Sequence, residues 1–295
     1  MRPRLAISFS GGRSSAAMLH TCLEQYSETH DIRITFANTG LEHEDTLRFV
    51  DAVDRNFCQT KGYDVVWIEA VIRGAGEGAQ ARVVTYETAS RKGEPYEDAV
   101  AKHGVFCQTH PQCTSRTKTE PMEWYRKITG WEKGSYDTAI GIRADEKIRV
   151  SAKADEYRFV YPLVDGGWRK RDVNLFMEQF DWDLNLPSDA YGNCVGCFKK
   201  SIRKLMTVAK SDPEYFDRFG EMERKYGTVN KGKEEQPEPR VFYRGNLSAQ
   251  DVIKRAFTET FEPYEDDKFD QREFFDDWLD AGTSCGESCE IGGHE

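Results

Sequence analysis

The sequence lacks the features that would place it in a membrane, in the secretory route or among repeat proteins. No apolar run approaches the roughly 20 residues that a membrane-spanning helix needs, and the apolar segment near the start is too short for a secretory signal peptide. There is no internal repeat and no low-complexity block. We therefore expect a cytoplasmic globular protein without a membrane partner.

Positive charge is also scarce. The 295 residues include 41 Lys and Arg against 51 Asp and Glu, a net charge of -10 at pH 7. Such a composition does not favour nucleic acid as a partner, although a local basic groove stays compatible with it, and it gives no indication of oligomeric state. The length suits one large domain with an appendage. We expect one large domain over residues 1–227, and a linker, short helices and an acidic, cysteine-containing tail over 228–295.

Apolar segments and helical patterns alternate in the first part of the chain. Short strand-like runs at residues 4–9, 32–37 and 64–69 are separated by helical spacings at 14–28 and 43–61. Alternation of this kind predicts a parallel sheet covered by helices. We predict an α/β fold with a doubly wound, mostly parallel sheet of about five strands, followed by a helical C-terminal part.

The first strand runs into the sequence SGGRSS and then directly into a helix. Such a corner gathers backbone N–H groups at a helix N-terminus, which together bind phosphate, and glycine lets the backbone approach the anion closely. The spacing matches neither a Walker loop nor Gly-x-Gly-x-x-Gly. The residues that we predict to contact the nucleotide here are Ser8, Ser10, Gly11, Gly12, Arg13, Ser14 and Ser15.

This loop resembles the pyrophosphate loop of the PP-loop ATP pyrophosphatase superfamily. The later segments FANTGLEHEDTLRFV, TAIGIRADE, YPLVDGGWRKRDV and GNCVGCFKKSIRKL follow in an order that resembles the phosphoadenosine phosphosulfate (PAPS) reductase-like proteins of phages and prophages, over about residues 4–255. The resemblance implies an adenine nucleotide alpha hydrolase-like fold. It also implies ATP, PAPS or adenosine phosphosulfate (APS) as the nucleotide and a thioredoxin-like reductant as a partner.

The same resemblance implies further site residues beyond the loop. Basic residues after Cys113 would bind nucleotide phosphates, and the end of a predicted strand would add another arginine. The Asn-Thr-Gly turn after the second strand would lie near the ribose or base. The residues assigned in this way are Asn38, Thr39, Gly40, Arg116, Lys118, Gly141 and Arg143.

Two departures from the family pattern bear on the chemistry. Ser14 stands where ATP pyrophosphatases usually have an aspartate that helps to hold Mg²⁺, so Mg²⁺ is retained only as an optional cofactor. The C-terminal motif of sulfonucleotide reductases has only an echo here, at Cys285. A thiolate is a strong nucleophile, and the cysteines assigned to catalysis are Cys113 and Cys285.

The spacing Cys194-x-x-Cys197 lets two thiolates point at one metal ion. Cys285 and Cys289 would complete a set of four, and Cys113 is the alternative third ligand. Zinc and a 4Fe-4S cluster both fit thiolate ligands. A redox pair and unligated thiols are the competing interpretations. The basic run Lys199, Lys200, Arg203 and Lys204 would face either a polyanionic substrate or solvent.

Three functions remain open on these observations. The first is reduction of a sulfonucleotide to sulfite, with the oxidised cysteine restored by a thioredoxin-like protein. The second is ATP-dependent adenylation and thiolation of a nucleic acid or small molecule, which a three-cysteine cluster would favour. The third is a nucleotide-binding module without catalysis, which the serine at position 14 would favour.

Overall fold

A computed structural model describes residues 2–74, 77–229 and 238–266 of the chain. Its centre is a sheet of six strands in the order β4-β3-β2-β1-β5-β6. All strand pairs are parallel except β3 with β4. The strands are β1 Arg4–Phe9, β2 Asp31–Asn38, β3 Val65–Val71, β4 Gln80–Val84, β5 Asp137–Ala139 and β6 Phe159–Val160. The predicted α/β class with a mostly parallel sheet is confirmed.

Helices connect the strands and form the C-terminal part. They are α1 Arg13–Tyr26, α2 Glu44–Val53, α3 Glu94–His103, α4 Glu120–Ile128, α5 Ala154–Tyr157, α6 Pro162–Asp165, α7 Lys170–Met177, α8 Ile202–Ser211, α9 Asp217–Tyr226 and α10 Ala249–Thr258. After α2 the chain stays helical through a π-turn at Asp54–Cys58 and a 3₁₀ turn at Gln59–Lys61. The predicted helical segment over 43–61 therefore forms, with irregular hydrogen bonding at its end.

The strand β4 was not expected from the sequence. It pairs antiparallel with β3 at the edge of the sheet, and its residues are exposed or half-buried. A half-exposed edge strand does not need the apolar run that marks a buried parallel strand, so the sequence contains no strong signal for it. This strand raises the sheet from about five strands to six.

The hydrophobic residues form two main cores. One lies between the sheet and the helices that follow β1 and β2, and includes Ile7, Met18 and Phe36. The other joins α3, α8, α9 and α10 around Phe198, Phe219 and other aromatic side chains. Phe242 and Val252 belong to this second core, so the described residues beyond 238 pack onto the rest of the chain. No helix within the described ranges combines the length and apolar character that crossing a membrane requires.

Candidate functional site

The turn between β1 and α1 forms a small cradle of backbone amides. The hydroxyl of Ser15 accepts hydrogen bonds from the amides of Ser10, at 3.3 Å, and Gly12, at 3.2 Å. It donates to the carbonyl oxygen of Gly12 at 2.9 Å. The loop thus curves around a buried hydroxyl at the first turn of a 14-residue helix, where the helix dipole favours an anion.

Gly11 shapes this loop through its backbone conformation. Its φ angle is +82°, in the left-handed region that favours glycine. A Cβ atom built on Gly11 would lie 2.8 Å from Thr46 Cγ2 and 3.1 Å from Val50 Cγ2. Helix α2 therefore packs directly under the loop, and any side chain at position 11 would force the two apart.

The segment after β5 brings two more predicted residues to the loop. A Cβ atom on Gly141 would lie 3.3 Å from Ser15 Cα, so the backbone here packs against the start of α1. Arg143 Nη1 donates to the Ser14 hydroxyl at 3.0 Å, and Arg143 Nε lies 3.1 Å from Asp145 Oδ1. The serine that replaces the usual aspartate thus contacts a guanidinium. Arg143 lies at the loop, and its contact with a nucleotide stays a prediction.

Arg13 directs its charge toward another part of the chain. Its Nε donates to Asp183 Oδ1 at 2.9 Å and its Nη2 donates to the carbonyl oxygen of Leu184 at 2.7 Å. Arg13 still lines the cavity over the loop. Its guanidinium is already neutralised by a carboxylate, so its main effect is to attach the start of α1 to the segment after α7.

The cavity over the loop has a volume of about 210 Å³ and a basic lining. Its basic side chains outnumber the acidic ones by six to two: Arg13, Arg143, Lys170, Lys199, Lys200 and Lys204 against Glu146 and Asp189. The chain as a whole carries a net charge of -10. A basic cleft in an acidic protein is suited to hold an anionic ligand.

The segment before α8 supplies two lysines of this cleft, Lys199 and Lys200. Lys200 Nζ donates to the carbonyl oxygens of Ala190, at 2.5 Å, and Val195, at 2.8 Å. Burial lowers its pKa to about 8. Arg203 is directed away from the cleft, with its guanidinium on the carbonyl oxygens of Glu262 and Pro263. The basic run noted in the sequence therefore divides between the cleft and a structural contact.

The Asn-Thr-Gly turn after β2 is buried under the cleft. Asn38 Nδ2 donates to Glu69 Oε1 at 2.7 Å, and the amide of Gly40 donates to Asn38 Oδ1 at 3.1 Å. Thr39 Oγ1 donates to Glu42 Oε1 at 2.8 Å and lies 3.3 Å from Cys194 Sγ. None of the three turn residues is among those lining the cavity over the loop. Their contact with the ribose or base stays a prediction, and the structure joins them to a cysteine instead.

Three cysteines line a second, small cavity. Cys113, Cys194 and Cys197 share it with Lys118, and Asn193 lines both this cavity and the basic cleft. Asn193 has a φ angle of +56°, a left-handed conformation that Asn tolerates better than most residues. The two cavities are therefore neighbours, separated at Asn193. We refer to the second one as the cysteine cavity.

Burial disfavours the ionised form of two thiols of this cavity, those of Cys113 and Cys194. Burial, together with the carboxylate of Glu42, raises the pKa of Cys194 to about 12. Burial and the neighbouring Cys197 raise the pKa of Cys113. For Lys118, burial lowers the pKa, but Cys194 and Glu42 outweigh that effect and the net shift is upward. Lys118 Nζ lies 3.9 Å from Glu42 Oε1, so it remains a cation beside the thiols.

Three predicted nucleotide ligands do not line the cleft. Ser8 is 4% exposed and accepts a hydrogen bond from Arg126 Nη2 at 2.9 Å. Arg116 forms an ion pair with Glu120 and donates to Gln112 Oε1 at 3.3 Å. Lys118 borders the cysteine cavity rather than the loop. The loop residues and Arg143 are thus brought together, whereas Ser8, Arg116 and Lys118 are not part of the same lining.

Only some of the predicted metal ligands lie among the described residues. Cys194 and Cys197 lie side by side with Cys113 at the cysteine cavity, whereas Cys285 and Cys289 lie outside the described residues. Across residues 2–74, 77–229 and 238–266, no three His, Cys, Asp or Glu side chains converge as a ready ligand set. The three thiols nevertheless supply the donor type that zinc and iron–sulfur clusters prefer.

Sequence reasoning missed two residues of the cleft. Thr46 is 2% exposed and lines the cleft, and its Oγ1 has no hydrogen-bond partner among the described residues. Lys170 lines the same cleft and lies 3.4 Å from Asp189. Both occur within segments that carried the family resemblance, FANTGLEHEDTLRFV and YPLVDGGWRKRDV. Their position in these segments was the signal that the sequence offered for Thr46 and Lys170. Such a position does not indicate which side chains face a ligand.

Comparison with known proteins gives a consistent result. A family model described as the phosphoadenosine phosphosulfate reductase domain matches residues 4–202. An uncharacterized nin region protein of Escherichia phage lambda is 31% identical over 293 residues, which cover 97% of this chain and 94% of that protein. Two uncharacterized proteins of Methanocaldococcus jannaschii are 20% and 23% identical over 75% of this chain. The chain spans 41% and 47% of the length of these archaeal relatives.

Proposed function

Since the chain belongs to the phosphoadenosine phosphosulfate reductase family, we propose that it is a sulfonucleotide reductase-like enzyme that binds an adenine nucleotide over the Ser10–Ser15 loop. The observation that carries the proposal is the basic cleft over that loop, with six basic and two acidic side chains in its lining. Loop amides and the start of α1 would bind the phosphate nearest the ribose. Arg143 would stabilise the same anion from the end of β5.

The proposed reaction transfers the sulfur group of the nucleotide from a phosphate oxygen to a cysteine thiol. A cysteine thiolate attacks the sulfate sulfur of PAPS or APS, the bond between that sulfur and the phosphate oxygen breaks, and the nucleotide leaves with the electron pair. A dithiol reductant of the thioredoxin type then attacks the modified cysteine, releases sulfite and becomes a disulfide. Sulfur is reduced by two electrons, and the dithiol is oxidised by the same two.

The nucleophile in this proposal is Cys285. The thiol of Cys113 has a raised pKa because of its burial and of Cys197 beside it, and a protonated thiol is a poor nucleophile. Cys113 is therefore better suited to a site with Cys194 and Cys197, where zinc or a 4Fe-4S cluster would bring the thiols to their ionised form. Lys118 would balance part of the negative charge there.

The proposed function is tested by separate incubations of the full-length protein, prepared without oxygen, with labelled ATP, APS and PAPS. We expect submillimolar binding, and release of sulfite together with the desulfated nucleotide when a thioredoxin-like dithiol is added. Binding without any product would identify the third function, a nucleotide-binding module. Absence of binding to all three nucleotides would refute the proposal altogether.

One observation favours a second candidate function, ATP-dependent thiolation. Among the described residues, three cysteines line the cysteine cavity, and it adjoins the cleft at Asn193. In this reaction an oxygen of the acceptor attacks the α-phosphate of ATP and pyrophosphate leaves; sulfur then displaces AMP from the acceptor. Pyrophosphate release from ATP, dependent on Mg²⁺ and an acceptor, would identify it, and sulfite release from PAPS or APS would identify the reductase.

A further inference from the structure

The basic side chains of the cleft form two groups, one at the loop and one, Lys199 and Lys200, near the cysteine cavity. Arg143 contacts Ser14 in the loop itself. Lys199 and Lys200 line the cleft near Asn193, the residue shared with the cysteine cavity. Lys199 lies close enough to Cys113 for its charge to oppose the rise in the pKa of that thiol. Cys197 and Cys194 lie close enough to Lys200 to oppose the lowering of its pKa by burial. One set of cations thus lies at the loop and the other beside the thiols.

Lys200 is held in place without being neutralised by its hydrogen-bond partners. It donates to two backbone carbonyl oxygens, those of Ala190 and Val195. Carbonyl groups satisfy the N–H donors of an ammonium but provide no full negative charge. No carboxylate of the described residues forms an ion pair with Lys200, and a half-buried cation without a counterion is costly. The remaining donor of Lys200 and the charge of Lys199 are therefore suited to an anion that enters the cleft.

We propose that Lys199 and Lys200 form a second anion subsite, which binds the terminal sulfate or phosphate group of the nucleotide and holds it at the entrance to the cysteine cavity. This proposal rests on the proposed function, because it takes the loop as the site of the first phosphate. Both groups are tetrahedral oxyanions, and lysine binds them as a point charge. The favoured ligand is thus a nucleotide with at least two linked anionic groups, rather than a nucleoside monophosphate.

The test compares how much affinity the second anionic group adds. Dissociation constants for AMP, ADP and APS are measured by calorimetry on the full-length wild type and on Lys199→Gln, Lys200→Gln and the double variant. We expect ADP and APS to bind at least tenfold more tightly than AMP to the wild type, and less than threefold more tightly to the double variant. The affinity for AMP should fall less than the affinities for ADP and APS in every lysine variant of the cleft. Lys254→Gln is the control, because Lys254 is an exposed lysine of α10 outside both cavities.

Each outcome decides the proposal. An equal loss of affinity for ADP and APS in the lysine variants supports a subsite for either oxyanion. A loss of affinity for APS alone supports a subsite for sulfate. A gain that persists in the double variant, or a parallel loss of AMP binding, overturns it. If Lys200→Gln fails to fold, Lys199→Gln still gives the comparison, because no side-chain hydrogen bond or ion pair of Lys199 contributes to the described structure. If the wild type binds no nucleotide, the proposed function fails, and titration with inorganic sulfate decides the subsite: binding lost in the double variant supports it, and no binding refutes it.

Discussion

At the scale of the residue, the loop depends on positions where a single atom decides the geometry. Gly11 adopts a left-handed conformation directly above Thr46 and Val50. Ser15 places its hydroxyl where two amides converge, and Ser14 takes a hydrogen bond from Arg143. On the proposed function, the loop would already have its shape before an anion binds, which would limit the entropic cost of binding.

Replacement of Gly11 by alanine should open the loop. An added Cβ atom lies 2.8 Å from Thr46 Cγ2, and the left-handed conformation alone costs roughly 1–2 kcal/mol for a non-glycine residue. We expect nucleotide binding to weaken more than tenfold in calorimetry, with a lower urea midpoint. Gly62→Ala is the matched control, because Gly62 has a φ angle of +78° with no atom within 4 Å of the added Cβ. Equal affinities for the two variants would contradict this role of Gly11.

Replacement of Thr46 by valine should weaken nucleotide binding without lowering the stability of the fold. The Thr46 hydroxyl is buried at the cleft and lacks a partner in the described part of the chain. A hydrogen bond to a charged phosphate contributes about 1.5–3 kcal/mol, so the valine variant should bind nucleotide at least tenfold more weakly. Its stability should stay equal or rise, because a buried unpaired oxygen is removed. Thr46→Ser should keep affinity within threefold, and a valine variant with unchanged affinity would refute the assignment.

At the scale of elements, one carboxylate joins α9 to the chain that leads into α10. Glu223 is 8% exposed. Its Oε1 accepts from the amide of Phe242 at 3.0 Å, and its Oε2 accepts from the amide of Ala249 at 3.0 Å. Ser248, the N-cap of α10, adds a capping hydrogen bond from the Asp251 amide to its own side chain. The second core is thus closed by local polar contacts as well as by its aromatic side chains.

The variant Glu223→Ala should destabilise the second core without affecting the loop. Two buried amides lose their acceptor, and each buried unsatisfied group costs about 1–3 kcal/mol. We expect the free energy of unfolding, measured by urea denaturation, to fall by roughly 2–4 kcal/mol, with nucleotide affinity in the folded protein unchanged. Glu221→Ala on the same helix is the control, since its partly exposed ion pair with Arg218 is of the kind that contributes less than about 1 kcal/mol. Similar losses for both variants would show that Glu223 has no special role.

At the scale of the whole molecule, cysteines from distant parts of the chain meet at one cavity. Cys113 precedes α4, whereas Cys194 and Cys197 precede α8. The sheet and the second core bring these segments to one cavity beside the nucleotide cleft. On the proposed function, this arrangement would place sulfur ligands next to the nucleotide, and Cys285 would act from elsewhere in the chain.

Substitution of the cysteines should therefore separate metal content from activity. We expect Cys113→Ser and Cys197→Ser, purified without oxygen, to lose zinc or iron and sulfide, because their thiols share one cavity. The double variant Cys285→Ser/Cys289→Ser should keep its metal and lose sulfite release. Metal content is measured by elemental analysis and visible absorption. Loss of metal from the tail variant, with metal retained in Cys113→Ser, would instead assign the ligands to Cys194, Cys197, Cys285 and Cys289.

Local sequence determined the alternating strands and helices, the glycine-rich corner between β1 and α1, and the family. These follow from signals within a few residues: apolar runs, glycines at a strand-to-helix turn and Cys-x-x-Cys. The helices and buried parallel strands were predicted for this reason, whereas β4 was missed because an exposed edge strand imposes no comparable pattern.

Only the tertiary structure decided which side chains share a surface. Asn38 ends β2 and Thr39 follows it, at the carboxyl ends of the strands where ligands commonly bind. Glu69, Glu42 and Cys194 nevertheless contact them, because buried polar groups pair with whichever donors and acceptors the fold supplies. Lys199 and Lys200 reach the cleft from almost 200 residues beyond the loop by packing of the second core. Proximity of this kind depends on how the whole chain packs, and no short stretch of sequence encodes it.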